Sequence, residues 1–150
     1  MKKFLWGICF FVVFAAAGIG FLFSPLCPSD VQYKIGYCYY YGIHVETNHE
    51  SAYGWFKKSA DKGNRDAEYM LGDMYSVGNY VKQDYKKAFE WYQKSANQGN
   101  ARAQCCIGLY YESGSGVAQD LAKAFEWFQK SAEQGYEAAK FALKEMQTED

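Results

Sequence analysis

The sequence has no basic stripe and no acidic block. Its 16 lysine and arginine residues and 17 aspartate and glutamate residues are interspersed, for a net charge of −1. A chain that holds nucleic acid through its phosphates gathers basic residues on one face, so that class is set aside. Histidine is scarce: His44 and His49 are the only two. With Glu46 and Glu50 they crowd possible ligands into a short stretch, but the spacing fits no usual zinc or calcium pattern. Neither a metal nor a cofactor is expected. Disorder is excluded by the hydrophobic content of 49%.

Charge is missing altogether from one long run. After Lys2 and Lys3 comes FLWGICFFVVFAAAGIGFLF, residues 4–23, and the next charged residue is Asp30. About twenty apolar residues are enough to cross a bilayer as a helix. Segment 1–27 therefore reads as a signal or anchor, with a transmembrane helix over about 4–23. Ala15 to Ala17 offer an alternative, cleavage behind a shorter apolar core, with secretion. A lipidated Cys27 is a poorer fit, because Leu26 beside it is not small. Either main reading keeps the two lysines inside and places the rest of the chain outside the cytoplasm, on the periplasmic side of a bacterial inner membrane. Without Lys2 and Lys3, 14 basic residues face 17 acidic ones, a mild net −3.

What is present is a repeat. AFEWYQKSANQGN at Ala88 returns as AFEWFQKSAEQGY at Ala124, 36 residues on. At that period the chain aligns with itself over three copies without a gap. Gly36, Gly72 and Gly108 share a position, as do Trp55, Trp91 and Trp127, and Gly63, Gly99 and Gly135. Five further columns are as regular, so this is an array. Ala67, Leu71 and Tyr75 recur at helical spacing, giving a first helix over about Asp66 to Val77 that Gly78 ends. After a seven-residue loop, Asp84, Asp120 and Asn48 stand where a second helix needs its N-cap. A Gly-Asn turn follows, and Asn100 can cap the next first helix. Trp91 is expected in the core with Ala88, Tyr92, Ser95 and Ala96. A glycine inside a helix costs about 1 kcal/mol, so the Gly72 column implies close approach of the partner helix. At the corresponding place in the last, unpaired helix stands Lys144. The fold expected is all-α: a right-handed α/α solenoid of three 36-residue helix-turn-helix repeats, at about 31–66, 67–102 and 103–138. A capping helix at about 137–147 completes domain 28–150, behind the N-terminal hydrophobic segment.

This pattern resembles the Sel-one-like repeat family, relatives of the tetratricopeptide repeats, over about Val31 to Met146. The best copy runs from Ala103 to Phe128, with G-x-G-V at Gly114 to Val117 and D-x-x-K-A at Asp120 to Ala124. The other copies depart from it: Tyr80 and His44 stand where the second glycine belongs. The resemblance implies an interaction scaffold that is not an enzyme and holds another protein. Cysteine-rich members staple each helix pair with a disulfide, and some are linked with penicillin binding. Here no cysteine column repeats, and Cys27 with Cys38 is the only bridge worth considering. Cys105 and Cys106 point apart on one helix, and Cys9 lies in the apolar run. Ser59 to Lys62 spells S-x-x-K, the alternative reading of a β-lactam-reactive or peptidoglycan-directed enzyme, yet no S-D-N or K-T-G accompanies it. The glycines of GSGVAQD lack the G-K-[ST] of a phosphate loop.

In related arrays the first helices line the concave side. Subtracting the fixed columns leaves Tyr33, Tyr37 and Tyr40; then Tyr69, Asp73 and Ser76; then Cys105, Leu109 and Glu112. From these, Tyr33, Tyr37, Tyr40, Tyr69, Asp73, Leu109 and Glu112 are the candidate partner-binding residues. A peptide or a single helix would fit so short a groove. For the tyrosine-rich first helix two other readings stand: packing of an end repeat, and seating at a membrane interface, the latter making this a structural membrane-associated protein.

Overall fold

The computed structural model describes residues 27–148, and the 4–23 run lies outside them. Among the described residues there are seven helices and no strand. They are α1 Ser29–Tyr41, α2 His49–Ala60, α3 Arg65–Val77, α4 Tyr85–Asn97, α5 Ala101–Ser113, α6 Leu121–Glu133 and α7 Glu137–Thr148. No helix among the described residues is long and apolar enough to cross a membrane. The chain divides into two compact units, Met1–Ala67 and Glu68–Asp150.

The expected caps are in place. Asn48, Asp84 and Asp120 accept from the backbone N–H groups of Ser51, Lys87 and Lys123, at 2.8, 3.0 and 3.0 Å. Asn64 and Asn100 each accept two N–H bonds at the head of α3 and α5. Gly42 and Gly114 end α1 and α5 in the left-handed conformation, where a side chain is strained. Each of these contacts satisfies a backbone group that the helix end would leave bare.

In the first unit Ile35, Cys38, Ala52, Phe56 and Ala60 are buried. Gly36 makes room for Phe56: a Cβ there would lie 2.7 Å from its ring. In the second unit Gly72 does the same for Tyr92, at 2.6 Å. One core cluster joins Ala88, Tyr92 and Ala96 of α4 to Ala103, Ile107 and Tyr110 of α5. A second joins Cys105 of α5 to Ala124 and Phe128 of α6 and Ala139 of α7. On α7 the position corresponding to Gly36 and Gly72 is held by Lys144, which is exposed.

The buried aromatic of each second helix is therefore Phe56, Tyr92 or Phe128, the residue after the tryptophan. Trp55, Trp91 and Trp127 are half-buried. Lys58, Lys94 and Lys130 lie over their rings at 4.7, 4.1 and 4.3 Å. This corrects the expectation that Trp91 is core. Neighbouring helix positions differ by about 100°, and the large ring that enters is the one facing the glycine.

Candidate protein-interaction face

The seven candidate residues fall in both units. Tyr33, Tyr37 and Tyr40 lie on α1, half-buried and packed on one another and on their own core. Tyr33 and Tyr40 flank the Phe56 ring at 6.0 and 6.1 Å, Tyr37 packs at a tilt on Tyr41 at 4.5 Å, and Tyr40 meets the His49 ring at 5.2 Å. Much of the area of these tyrosines is spent inside the first unit.

Tyr69, Asp73, Leu109 and Glu112 lie in the second unit, where α3 and α5 present the same positions one repeat apart. The Arg102 guanidinium sits 5.7 Å from the Tyr69 ring centre. Burial raises the pKa of Tyr69, to which Cys106, Asp73 and Tyr136 add, while Arg102 opposes. Burial likewise raises the pKa values of Tyr92, Tyr110 and Cys106, and the negative charge of Asp73 adds a smaller push in the same direction. Asp73 thus lies near tyrosines and a thiol drawn from α3, α4 and α5. Leu109 is 46% exposed on this face.

Two residues of the face escaped sequence reasoning. Extending the columns by one more period brings Phe141 into the position of Tyr69 and Glu145 into that of Asp73, both on α7. Phe141 is 63% exposed, and Glu145 is exposed. Reading α7 only as a cover for the core hid them, although the period alone could have found them. Cys105 goes the other way: it occupies the same column but is buried.

The serine and glutamine columns are structural ties. Ser59, Ser95 and Ser131 have no exposed surface. The Ser59 hydroxyl donates to the Ser29 carbonyl at 2.7 Å, and that of Ser131 to Ala101 at 2.6 Å. Lys62 donates to the Cys27 carbonyl at 2.6 Å, so the S-x-x-K pair is engaged in joining the two helices. Gln98 bonds the Glu68 carboxylate at 2.7 Å and Gln134 the Gln104 amide at 2.6 Å, each across 30 residues.

No disulfide joins any two of Cys27, Cys38, Cys105 and Cys106, so the Cys27–Cys38 bridge is not formed. Burial, then Glu112, pushes Cys105 up to about 11. Burial, then Cys105 and Asp73, pushes Cys106 up to about 12, against a hydrogen bond from Tyr92. Thiols held neutral are poor nucleophiles. His44 is exposed at φ 62°, and no group of three or more metal-binding side chains occurs among the described residues.

The Sel1 repeat profile matches residues 29–64, 65–100 and 101–136. A solved Sel1 repeat protein from Oxalobacter formigenes is 38% identical, with a TM-score of 0.73, over 78% of this chain and 88% of that one. Another similar structure is c5321, a protective antigen present in uropathogenic Escherichia coli strains and displaying an SLR fold. It is 38% identical with a TM-score of 0.72 over 74% of this chain, which spans 24% of it. Helicobacter pylori cysteine rich protein B is 27% identical, with a TM-score of 0.61, over 64% of this chain and 72% of its own length. No curated protein matches.

Proposed function

The chain belongs to the Sel1 repeat family, and from that premise we propose that it is a non-enzymatic scaffold that binds a segment of another protein on its first-helix face. The family generally mediates protein–protein interaction. The observation that carries the reading is the 46% exposure of Leu109, a large apolar side chain in the column of the charged Asp73 and Glu145. A large apolar side chain left in water beside charged ones is what a recognition surface offers.

The uncharged run behind Lys2 and Lys3 supports a second element of the proposal. It tethers the chain to a membrane and holds the repeats outside the cytoplasm. Intact mass of the protein extracted from membranes distinguishes the tethered form from one cleaved after Ala17.

The test is a crosslinking pulldown from intact cells with the full-length chain, comparing wild type with Asp73→Ala/Leu109→Ala. Capture of a defined protein by wild type and its loss in the variant is the expected result. Capture of the same set by both would remove this face from the proposal.

A further inference from the structure

We infer that the partner segment is cationic and extended, with one apolar residue flanked by a basic residue about three positions to either side. This rests on the scaffold reading above and names the chemistry of what the scaffold holds.

Charge on the second unit is not spread evenly over its helices. Along the first-helix face, Asp73 on α3, Glu112 on α5 and Glu145 on α7 are carboxylates. The one guanidinium among them, Arg102, lies over the Tyr69 ring. Elsewhere charge is mixed: exposed Lys86, Lys87, Lys94 and Glu90 on α4, Lys123, Lys130, Glu126 and Glu133 on α6, and Lys140 and Lys144 in the neighbouring columns of α7. An acidic face with exposed apolar side chains repels an anionic lipid surface or a nucleic acid and attracts a basic, partly apolar segment.

The spacing narrows it further. Asp73, Leu109 and Glu145 hold one position on three successive first helices. With neighbouring helices about 10 Å apart, the two carboxylates stand about 20 Å apart with the leucine between them. A segment in the extended polyproline-II conformation advances about 3.1 Å per residue with about three residues per turn, so three residues cover each step and return a side chain to the same face. Cations at either end then meet Asp73 and Glu145, while the central apolar residue meets Leu109. The rings of Tyr69 and Phe141 flank that line, and Tyr69 already receives one cation. Charge at the rim steers association and sets specificity more than it adds raw affinity.

The experiment measures fluorescence anisotropy on the full chain in a non-ionic detergent at low salt. The probe is a labelled peptide with one leucine and a lysine three positions to each side, in a serine background. A glutamate version and a version with the lysines moved next to the leucine serve as comparisons. The lysine peptide is expected to bind at least about tenfold more tightly than the glutamate one. Asp73→Lys/Glu145→Lys should invert that order, and circular dichroism checks that the variant is folded. Equal binding of the two, a preference untouched by the charge reversal, or no binding of the lysine peptide overturns the inference. Tighter binding of the adjacent-lysine version overturns the spacing. A photocrosslinker at Leu109 separates this from the scaffold reading. If it captures a partner through an acidic segment, the scaffold stands and the cationic assignment falls. If it captures nothing in cells, both fall.

Discussion

A Cβ placed on Gly108 would lie 2.5 Å from Cε1 of Phe128. Both residues are buried, so neither the ring nor the helix has solvent to move into. Overpacking of this kind costs about 1–3 kcal/mol, more than the roughly 1 kcal/mol that alanine gains over glycine in a helix. Gly108→Ala should lower stability in chemical denaturation, and Lys144→Ala, at the equivalent exposed place on α7, should leave it nearly unchanged. A Gly108→Ala protein as stable as wild type would mean that the ring has room the geometry denies it.

The loop column tests the backbone in the same way. His44, Tyr80 and Gly116 all take positive φ, at 62°, 66° and 70°. For the two residues with side chains this conformation costs about 1–2 kcal/mol. Tyr80→Gly should therefore raise stability by up to about 1 kcal/mol, after glycine's greater freedom in the unfolded chain is subtracted. Gly116→Ala should lower it by about 2 kcal/mol or more, since its Cβ would meet the Tyr85 backbone at 2.6 Å. Thermal unfolding of the two variants would contradict this if the signs came out reversed.

Glu68 gives a pH dependence. It is buried, and burial raises its pKa against the opposing Gln98 bond and the Lys94 charge. A carboxyl whose folded pKa is raised binds its proton more tightly in the folded state. Stability from this group is therefore full below the unfolded value of 4.5 and falls as pH climbs through the raised one. Glu68→Gln should keep the bond to Gln98, in the manner of Gln104 with Gln134, and remove that loss. We expect a higher Tm than wild type at neutral pH, with the advantage fading toward pH 4.5. A variant less stable at neutral pH would show that ionised Glu68 is favourable where it lies.

These positions also show what the sequence could disclose. Period, caps and the glycine column depend on local chemistry repeated three times, so Asn48, Asp84 and Gly72 were legible from their neighbours alone. The choice between Trp127 and Phe128 was not. Both suit an apolar stripe, and only the approach of the helix bearing Gly108 decides which ring enters. The interaction face was half legible for a related reason. Columns left over from packing pointed to Asp73 and Leu109, whereas burial of Cys105 and exposure of Phe141 depend on which helices pack beside α5 and α7.

The central claim is that the first-helix face of the second unit holds a partner. Its most direct test is photocrosslinking in living cells, with benzoylphenylalanine placed at Leu109 and, separately, at Lys130 on the second-helix face. The account predicts a defined adduct from Leu109 that is missing from Lys130. An adduct from Lys130 alone, or the same adducts from both, would contradict it.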